Sequence, residues 1–201
     1  IHKAHLAAAL GLDTGRPVLV LTDDDNAANR FAADLRGFSE RDIVQLPSRE
    51  LVMADVVGVS RGYEQRRLAA LDELTEAHFA VASVQAAAQR TMPPEALKAA
   101  IVSLATGETA PLDELAQSLT RAGYERCVQV EGTGQFSIRG GILDVFPPQA
   151  EHPYRVEFWD DEIDSISTFD VGSQRRLEQC ECLRCLPCME SIPALAKGGA
   201  A

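Results

Sequence analysis

Short apolar runs alternate with stretches of helical periodicity over roughly the first hundred residues. Three runs have the length and composition of parallel strands that are buried on both faces: residues 17–22, 43–47 and 79–84. Three other segments carry apolar residues at helical spacing: residues 1–10, 27–35 and 60–77. In the first of these, Leu6 and Leu10 share the expected buried side. Strands that alternate with helices predict an α/β domain with a parallel sheet, which we assign to residues 1–104.

The pattern changes after Gly107, where one amphipathic helix precedes a series of short strands. The helix begins near Pro111 and places Leu115 and Leu119 on one side. Five segments with the composition of strands follow: residues 124–131, 136–139, 141–146, 154–159 and 162–169. Glycine- and proline-containing linkers between them indicate hairpins. We therefore expect a smaller α+β domain with an antiparallel sheet at residues 105–190, followed by a disordered tail at residues 191–201.

Composition and charge exclude several classes of protein. With 46% hydrophobic and 24% charged residues in 201, the chain is globular and not disordered. It carries a net charge of −11, and most of the excess lies after residue 106, so a protein partner is expected rather than DNA. The sequence shows neither a membrane-spanning run nor a signal peptide, which predicts a cytoplasmic protein with no membrane partner. Because the chain opens inside a helical pattern, we expect it to be a fragment of a longer protein.

Two features superficially resemble nucleotide-binding motifs. Asp23 and Asp24 follow an apolar strand, as do the acidic residues that hold Mg²⁺ in nucleotide hydrolases. The simpler interpretation is that they favour the N-terminus of the next helix. No G-x-x-x-x-G-K-[ST] loop occurs in the chain, so we expect no ATP hydrolysis and no cofactor here. Gly132 and Gly134 lie between two strands and predict a turn rather than a phosphate-binding loop.

Four of the five cysteines fall within nine residues, which raises the possibility of a metal site. They are Cys180, Cys182, Cys185 and Cys188. Four thiolates suffice for tetrahedral zinc or an iron–sulfur cluster. However, the segment also reads as a strand, which would send Cys182 and Cys185 to opposite faces. We therefore expect ordinary packing and no bound metal, with a metal-binding module as the alternative.

The most informative segment is the strand at residues 154–159. Alternation sends Val156 and Phe158 to one face, and Arg155, Glu157 and Trp159 to the other. In the strand at residues 136–139, the same rule separates Phe136 and Ile138 from Ser137 and Arg139. If the apolar face is the core, the opposite face carries two arginines, a glutamate and the only tryptophan of the chain. Arginine and tryptophan are enriched where proteins bind one another. Because these side chains would point away from the core, alanine at Arg139 and Arg155 should leave folding nearly intact.

Three motifs resemble the UvrA-binding module that is shared by UvrB and the Mfd family of transcription–repair coupling factors. They are QVEGTGQFSIRGGILDVFPP at residues 129–148, YRVEFWDDEIDSI at residues 154–166 and TFDVGSQRRL at residues 168–177. The resemblance is specific over residues 105–190 and looser before them. It fits the coupling factors better than UvrB, because the first domain has no tyrosine-rich insertion. The cysteine-rich segment departs from the family pattern.

The resemblance carries expectations that the residues alone do not. It implies that residues 1–104 form a degenerate RecA-like domain without ATPase activity, and that the following module recruits UvrA to nucleotide excision repair. It assigns UvrA contacts to Arg139, Arg155, Glu157 and Trp159. The ATP- and Mg²⁺-dependent motor, and the contacts with DNA and with a stalled RNA polymerase, would belong to domains outside this chain. The alternative is a fragment of a UvrB-type, ATP-dependent damage-recognition protein.

Overall fold

The computed structural model describes residues 2–49 and 60–190. These residues form two compact units that are divided between Thr91 and Met92. The division falls before the boundary expected at residues 104 and 105. Two contacts with the end of the described chain account for this. The strand Val102–Ala105 pairs with the strand Cys182–Cys185, and the backbone N–H of Met92 donates to Oε1 of Glu190. The tail expected to be disordered, residues 191–201, lies outside the described residues.

The first unit contains a three-stranded parallel sheet and four helices among its described residues. In chain order they are α1 (His2–Thr14), β1 (Val18–Thr22), α2 (Asp25–Arg36), β2 (Ile43–Leu46), α3 (Ser60–Glu73), β3 (Phe79–Ser83) and α4 (Val84–Ala88). The strand order is β1–β3–β2, and both pairings are parallel. The predicted parallel α/β sheet is therefore confirmed.

Helix α2 shows what the acidic residues after β1 do. Asp24 is the N-cap residue, and its Oδ1 accepts a hydrogen bond of 2.6 Å from the backbone N–H of Ala27. The helix buries Ala28, Ala32 and Leu35 and ends at Gly37. A carboxylate at this position is favoured because it satisfies a free backbone donor and complements the helix dipole. Asp24 thus bears out the expectation that this acidic segment favours the N-terminus of the next helix.

The first unit departs from the expected burial at one strand and one helix. Strand β1 lies at the edge of the described sheet, and Leu19 and Leu21 on one of its faces are exposed, so it is not buried on both faces. Helix α1 buries small residues and leaves Leu6 and Leu10 exposed. The cause is close packing: a Cβ atom at Gly11 would lie 2.6 Å from the ring of Phe79, so even alanine there would force the ring to move.

In its described part, residues 92–190, the second unit contains two short helices and two sheets. In chain order they are α5 (Pro94–Ala100), β4 (Val102–Ala105), α6 (Leu112–Arg121), β5 (Glu125–Arg126), β6 (Gln135–Arg139), β7 (Ile142–Val145), β8 (Tyr154–Trp159), β9 (Glu162–Phe169), β10 (Arg176–Cys180) and β11 (Cys182–Cys185). The larger sheet has the order β10–β9–β8–β7–β6–β5, and its pairings are antiparallel except that of β5 with β6. Strands β11 and β4 form a separate antiparallel pair.

The segment before β6 is the main departure from the predicted strands. A strand was expected over residues 124–131, but only Glu125–Arg126 pairs, and it runs parallel to β6. The chain then turns back, and the side-chain oxygen of Gln135 accepts hydrogen bonds from the backbone N–H groups of Glu131 and Gly132. Gly134 has a φ of 77°, in the left-handed region that favours glycine. The loop is a turn, as expected, but it does not join antiparallel strands.

One face of the six-stranded sheet packs against α6 and forms the core of the second unit. Leu115 and Leu119 of the helix belong to the same buried cluster as Phe136, Leu143 and Val156 of the sheet.

None of the helices in the described ranges of the chain combines the length and the apolar composition that a membrane crossing requires.

Candidate protein-binding site

The alternation predicted for β6 and β8 is confirmed. Phe136 and Val156 are fully buried in the core, and Ile138 and Phe158 pack against it from half-buried positions. On the opposite side of these strands lie Arg139, Arg155 and Glu157, and the exposed Trp159 ends β8. Cross-strand pairing extends this side to Ser137 and Asp144. We call the surface formed by Ser137, Arg139, Asp144, Arg155, Glu157 and Trp159 the polar face.

Asp144 connects the two arginines and was missed in the sequence. It lies on β7, in register with Ser137 on one neighbouring strand and Arg155 on the other, and its side chain is 1% exposed. Its Oδ1 accepts from Nε of Arg155 at 2.7 Å, and its Oδ2 accepts from Nη2 of Arg155 and Nη2 of Arg139, both at 2.8 Å. One buried carboxylate therefore holds two guanidinium groups. The available signal was a single acidic residue within an otherwise apolar strand.

Arg155 is held on several sides. Besides its two bonds to Asp144, its Nη2 donates to the side-chain oxygen of Gln174 at 3.2 Å, and its guanidinium lies 4.5 Å from the centre of the Phe169 ring. The hydrogen bonds to Asp144 raise the pKa of Arg155 above its already high usual value. Its side chain is only 20% exposed, compared with 50% for Arg139. Arg139 is therefore the more accessible of the two arginines.

Glu157 forms an ion pair with Arg176 of β10, which was not anticipated from the sequence. Nη2 of Arg176 donates to Oε1 of Glu157 at 2.9 Å, and the hydroxyl of Ser165 donates to the other carboxylate oxygen at 3.2 Å. Both members of the ion pair are substantially exposed, so solvent screens their attraction. The pair adds a charged, water-accessible edge to the polar face.

Trp159 supplies the apolar part of the polar face. Its side chain is 81% exposed at the end of β8, next to a two-residue turn in which Asp160 has a φ of 56°. A large exposed ring beside half-exposed charges combines apolar area with directional hydrogen bonds. Such a combination suits the recognition of another protein, since buried tryptophan and arginine anchors contribute strongly to protein interfaces.

The cysteine-rich segment follows the predicted strand alternation. Cys182 is exposed and Cys185 is buried, so the two thiols lie on opposite sides of β11. Burial raises the pKa of the Cys185 thiol to about 12, in spite of a hydrogen bond with Tyr124. Within residues 2–49 and 60–190, no three His, Cys, Asp or Glu side chains form a group that could hold a metal ion.

Comparison with known proteins shows that the part of the chain that carries the polar face matches a known domain family. Residues 102–190 match the model of the UvrB interaction domain. The chain is 35% identical to the transcription-repair-coupling factor of Bacillus subtilis over 94% of its own length and 16% of that protein. The corresponding protein of Escherichia coli is 32% identical over 93% of this chain and 16% of its own length, and that of Mycobacterium tuberculosis is 36% identical over 89% and 15%.

The residues that match the family model all lie in the second unit. That unit contains an interaction domain of the UvrB type, and the polar face lies within it. The chain as a whole is related to the transcription-repair-coupling factors, which confirms the resemblance indicated by the motifs at residues 129–177. It spans about one sixth of the length of the curated relatives that it matches.

Proposed function

We propose that this chain recruits UvrA and that the polar face is the surface that binds it. The family match and the names of the relatives support a role in repair coupled to transcription. The observation that carries the assignment to this face is its composition: the exposed Trp159 lies on the same side of the sheet as arginines that are held by a buried carboxylate.

The geometry suggests how the partner would be recognised. Arg139 uses one Nη on Asp144, and among the described residues its other nitrogens have no hydrogen-bond partner, so they can bind a carboxylate of UvrA. Trp159 would enter an apolar pocket and lose its contact with water. Arg155 would contribute less by direct contact than by supporting the face, because most of its surface is already covered.

The proposal extends to the longer protein in which these units would work. The first unit would be a degenerate RecA-like domain, and the second would be the UvrA-binding module. Binding of UvrA by the module would link an RNA polymerase stalled at damage to nucleotide excision repair. The contacts with polymerase and DNA, and the use of ATP with Mg²⁺, are assigned to other parts of that protein. Residues 1–201 would act by recognition and not by catalysis.

A titration with two matched variants tests the proposal. Purified UvrA is titrated with the wild-type chain, with Arg139→Ala, and with Arg126→Ala, which removes the same charge from an exposed position on β5. We expect saturable binding by the wild type, a loss of at least tenfold for Arg139→Ala, and no change for Arg126→Ala. Absence of binding by the folded wild-type chain would overturn the proposed function, and equal losses in both variants would overturn the assignment to the polar face.

A further inference from the structure

Asp144 is an acidic residue that is buried within the six-stranded sheet of the second unit. Its neighbours along β7, Leu143 and Val145, are fully buried in the core, and Asp144 itself faces the other side of the sheet. Burying a carboxylate is unfavourable unless charged partners and hydrogen bonds compensate for the lost water. Here three N–H donors from Arg139 and Arg155 provide that compensation.

Both arginines have hydrogen-bond partners within the domain itself. Arg155 meets both oxygens of Asp144 with parallel hydrogen bonds, which is the geometry that constrains a guanidinium most. Gln174 and the ring of Phe169 hold the same group from other sides. Arg139 donates to the same Oδ2 of Asp144 that Arg155 contacts, so both guanidinium groups are bonded to one buried carboxylate.

Ordering a long side chain costs conformational entropy that binding would otherwise have to supply. From this geometry, and on the basis of the proposed function, we infer that Asp144 is a positioning residue: it does not touch UvrA but holds Arg139 and Arg155 in the conformation that UvrA recognises. Charge alone would lead to the opposite expectation, because Asp144 lowers the positive charge of the polar face. A partner attracted merely by that charge would bind more tightly after its removal.

The test is a double-mutant cycle in which UvrA is titrated with four forms of the whole chain: wild type, Asp144→Asn, Arg139→Ala and the double variant. Asparagine has nearly the same shape as aspartate but carries no charge. We expect Asp144→Asn to weaken binding about tenfold in the wild-type background. The loss should be clearly smaller in the Arg139→Ala background, because one of the two groups through which Asp144 acts is then missing.

Asp113→Asn is the matched control. It removes the same charge from an exposed position on α6, the helix that packs against the apolar face of the sheet. This change should leave binding unchanged. Unchanged or tighter binding by a folded Asp144→Asn variant would overturn the positioning role, and so would losses that are equal in the two backgrounds. A wild-type chain that fails to bind UvrA would instead overturn the proposed function.

A measurement on the wild-type chain keeps the inference testable if Asp144→Asn does not fold. Side-chain ¹⁵N relaxation at Nε of Arg139 and Arg155 reports their motion in the absence of UvrA. A positioning role requires both groups to be rigid, with order parameters above about 0.6. A freely moving Arg139 side chain in the unbound protein would overturn the inference regardless of any binding result.

Discussion

Arg155 holds Asp144 with two parallel hydrogen bonds, from Nε to Oδ1 at 2.7 Å and from Nη2 to Oδ2 at 2.8 Å. The carboxylate is buried, and the guanidinium is mostly covered. Because this pair is mostly buried, it contributes to the stability of the domain as well as to the polar face. Changes to Asp144 or to its arginine partners therefore affect both folding and binding, and the two effects must be measured separately.

Replacing both arginines with alanine should strongly destabilise the second unit. Asp144 would remain buried without a counter-charge, which costs about 3–5 kcal/mol of unfolding free energy. Arg139→Ala alone should cost about 1 kcal/mol or less, since Arg155 would still occupy both carboxylate oxygens. Denaturant unfolding of the single and double variants measures this difference. A double variant within about 1 kcal/mol of the wild type would show that the carboxylate is easily solvated or neutralised. The sequence alone predicted that alanine at Arg139 and Arg155 would leave folding nearly intact, because it did not reveal that both side chains bind the buried Asp144.

The two phenylalanines on the apolar side of the sheet should differ in their effect on stability. Phe136 is fully buried, so Phe136→Ala should cost about 3–5 kcal/mol through the cavity that it leaves. Phe158 is half-buried at the margin of the same cluster, and Phe158→Ala should cost less, about 1–3 kcal/mol. Thermal or denaturant unfolding tests this order. In conditions where both variants are folded, neither should weaken UvrA binding, and a specific binding defect would contradict the assignment of faces.

The cysteines of β11 should differ sharply in reactivity. The thiolate is the reactive form, and a pKa of about 12 leaves Cys185 almost entirely protonated at pH 8, where burial also blocks access to it. Cys182 is exposed. We expect a thiol reagent to modify Cys182 rapidly and Cys185 only after denaturant is added, as peptide mapping of the labelled sites would show. Rapid labelling of Cys185 in the native protein would contradict its burial against Tyr124.

Asp24 should behave as a helix cap. Asp24→Ala removes the acceptor for the Ala27 backbone N–H and should lower stability by about 1 kcal/mol. Asp24→Asn, which keeps an oxygen at the same position, should recover most of that loss.

The wild-type chain should show no ATP turnover above a buffer control. Turnover that is abolished by Asp24→Ala without a change in stability would instead indicate a catalytic role for this carboxylate.

How much could be predicted from sequence depended on how local each feature was. The faces of β8 were predictable because alternation is a property of a single strand. The place of Asp24 at a helix N-terminus was predictable because it depends only on adjacent residues. The contact between Asp144 and Arg139 was missed because it depends on the register between two strands. The exposure of Leu19 was missed because it depends on which elements cover that face of the sheet, and the composition of a strand does not reveal them.

The most direct test of the central claim is the affinity of UvrA for Trp159→Ala. Trp159 lies outside the core, so this change should leave the thermal midpoint unchanged while removing the largest exposed apolar group of the polar face. The matched control is Val128→Ala, which truncates an apolar side chain that is 87% exposed in the loop after β5. We predict that Trp159→Ala weakens binding by about 2 kcal/mol or more, roughly thirtyfold, and that Val128→Ala has no effect. Wild-type affinity in a folded Trp159→Ala variant would contradict the claim that UvrA binds the polar face.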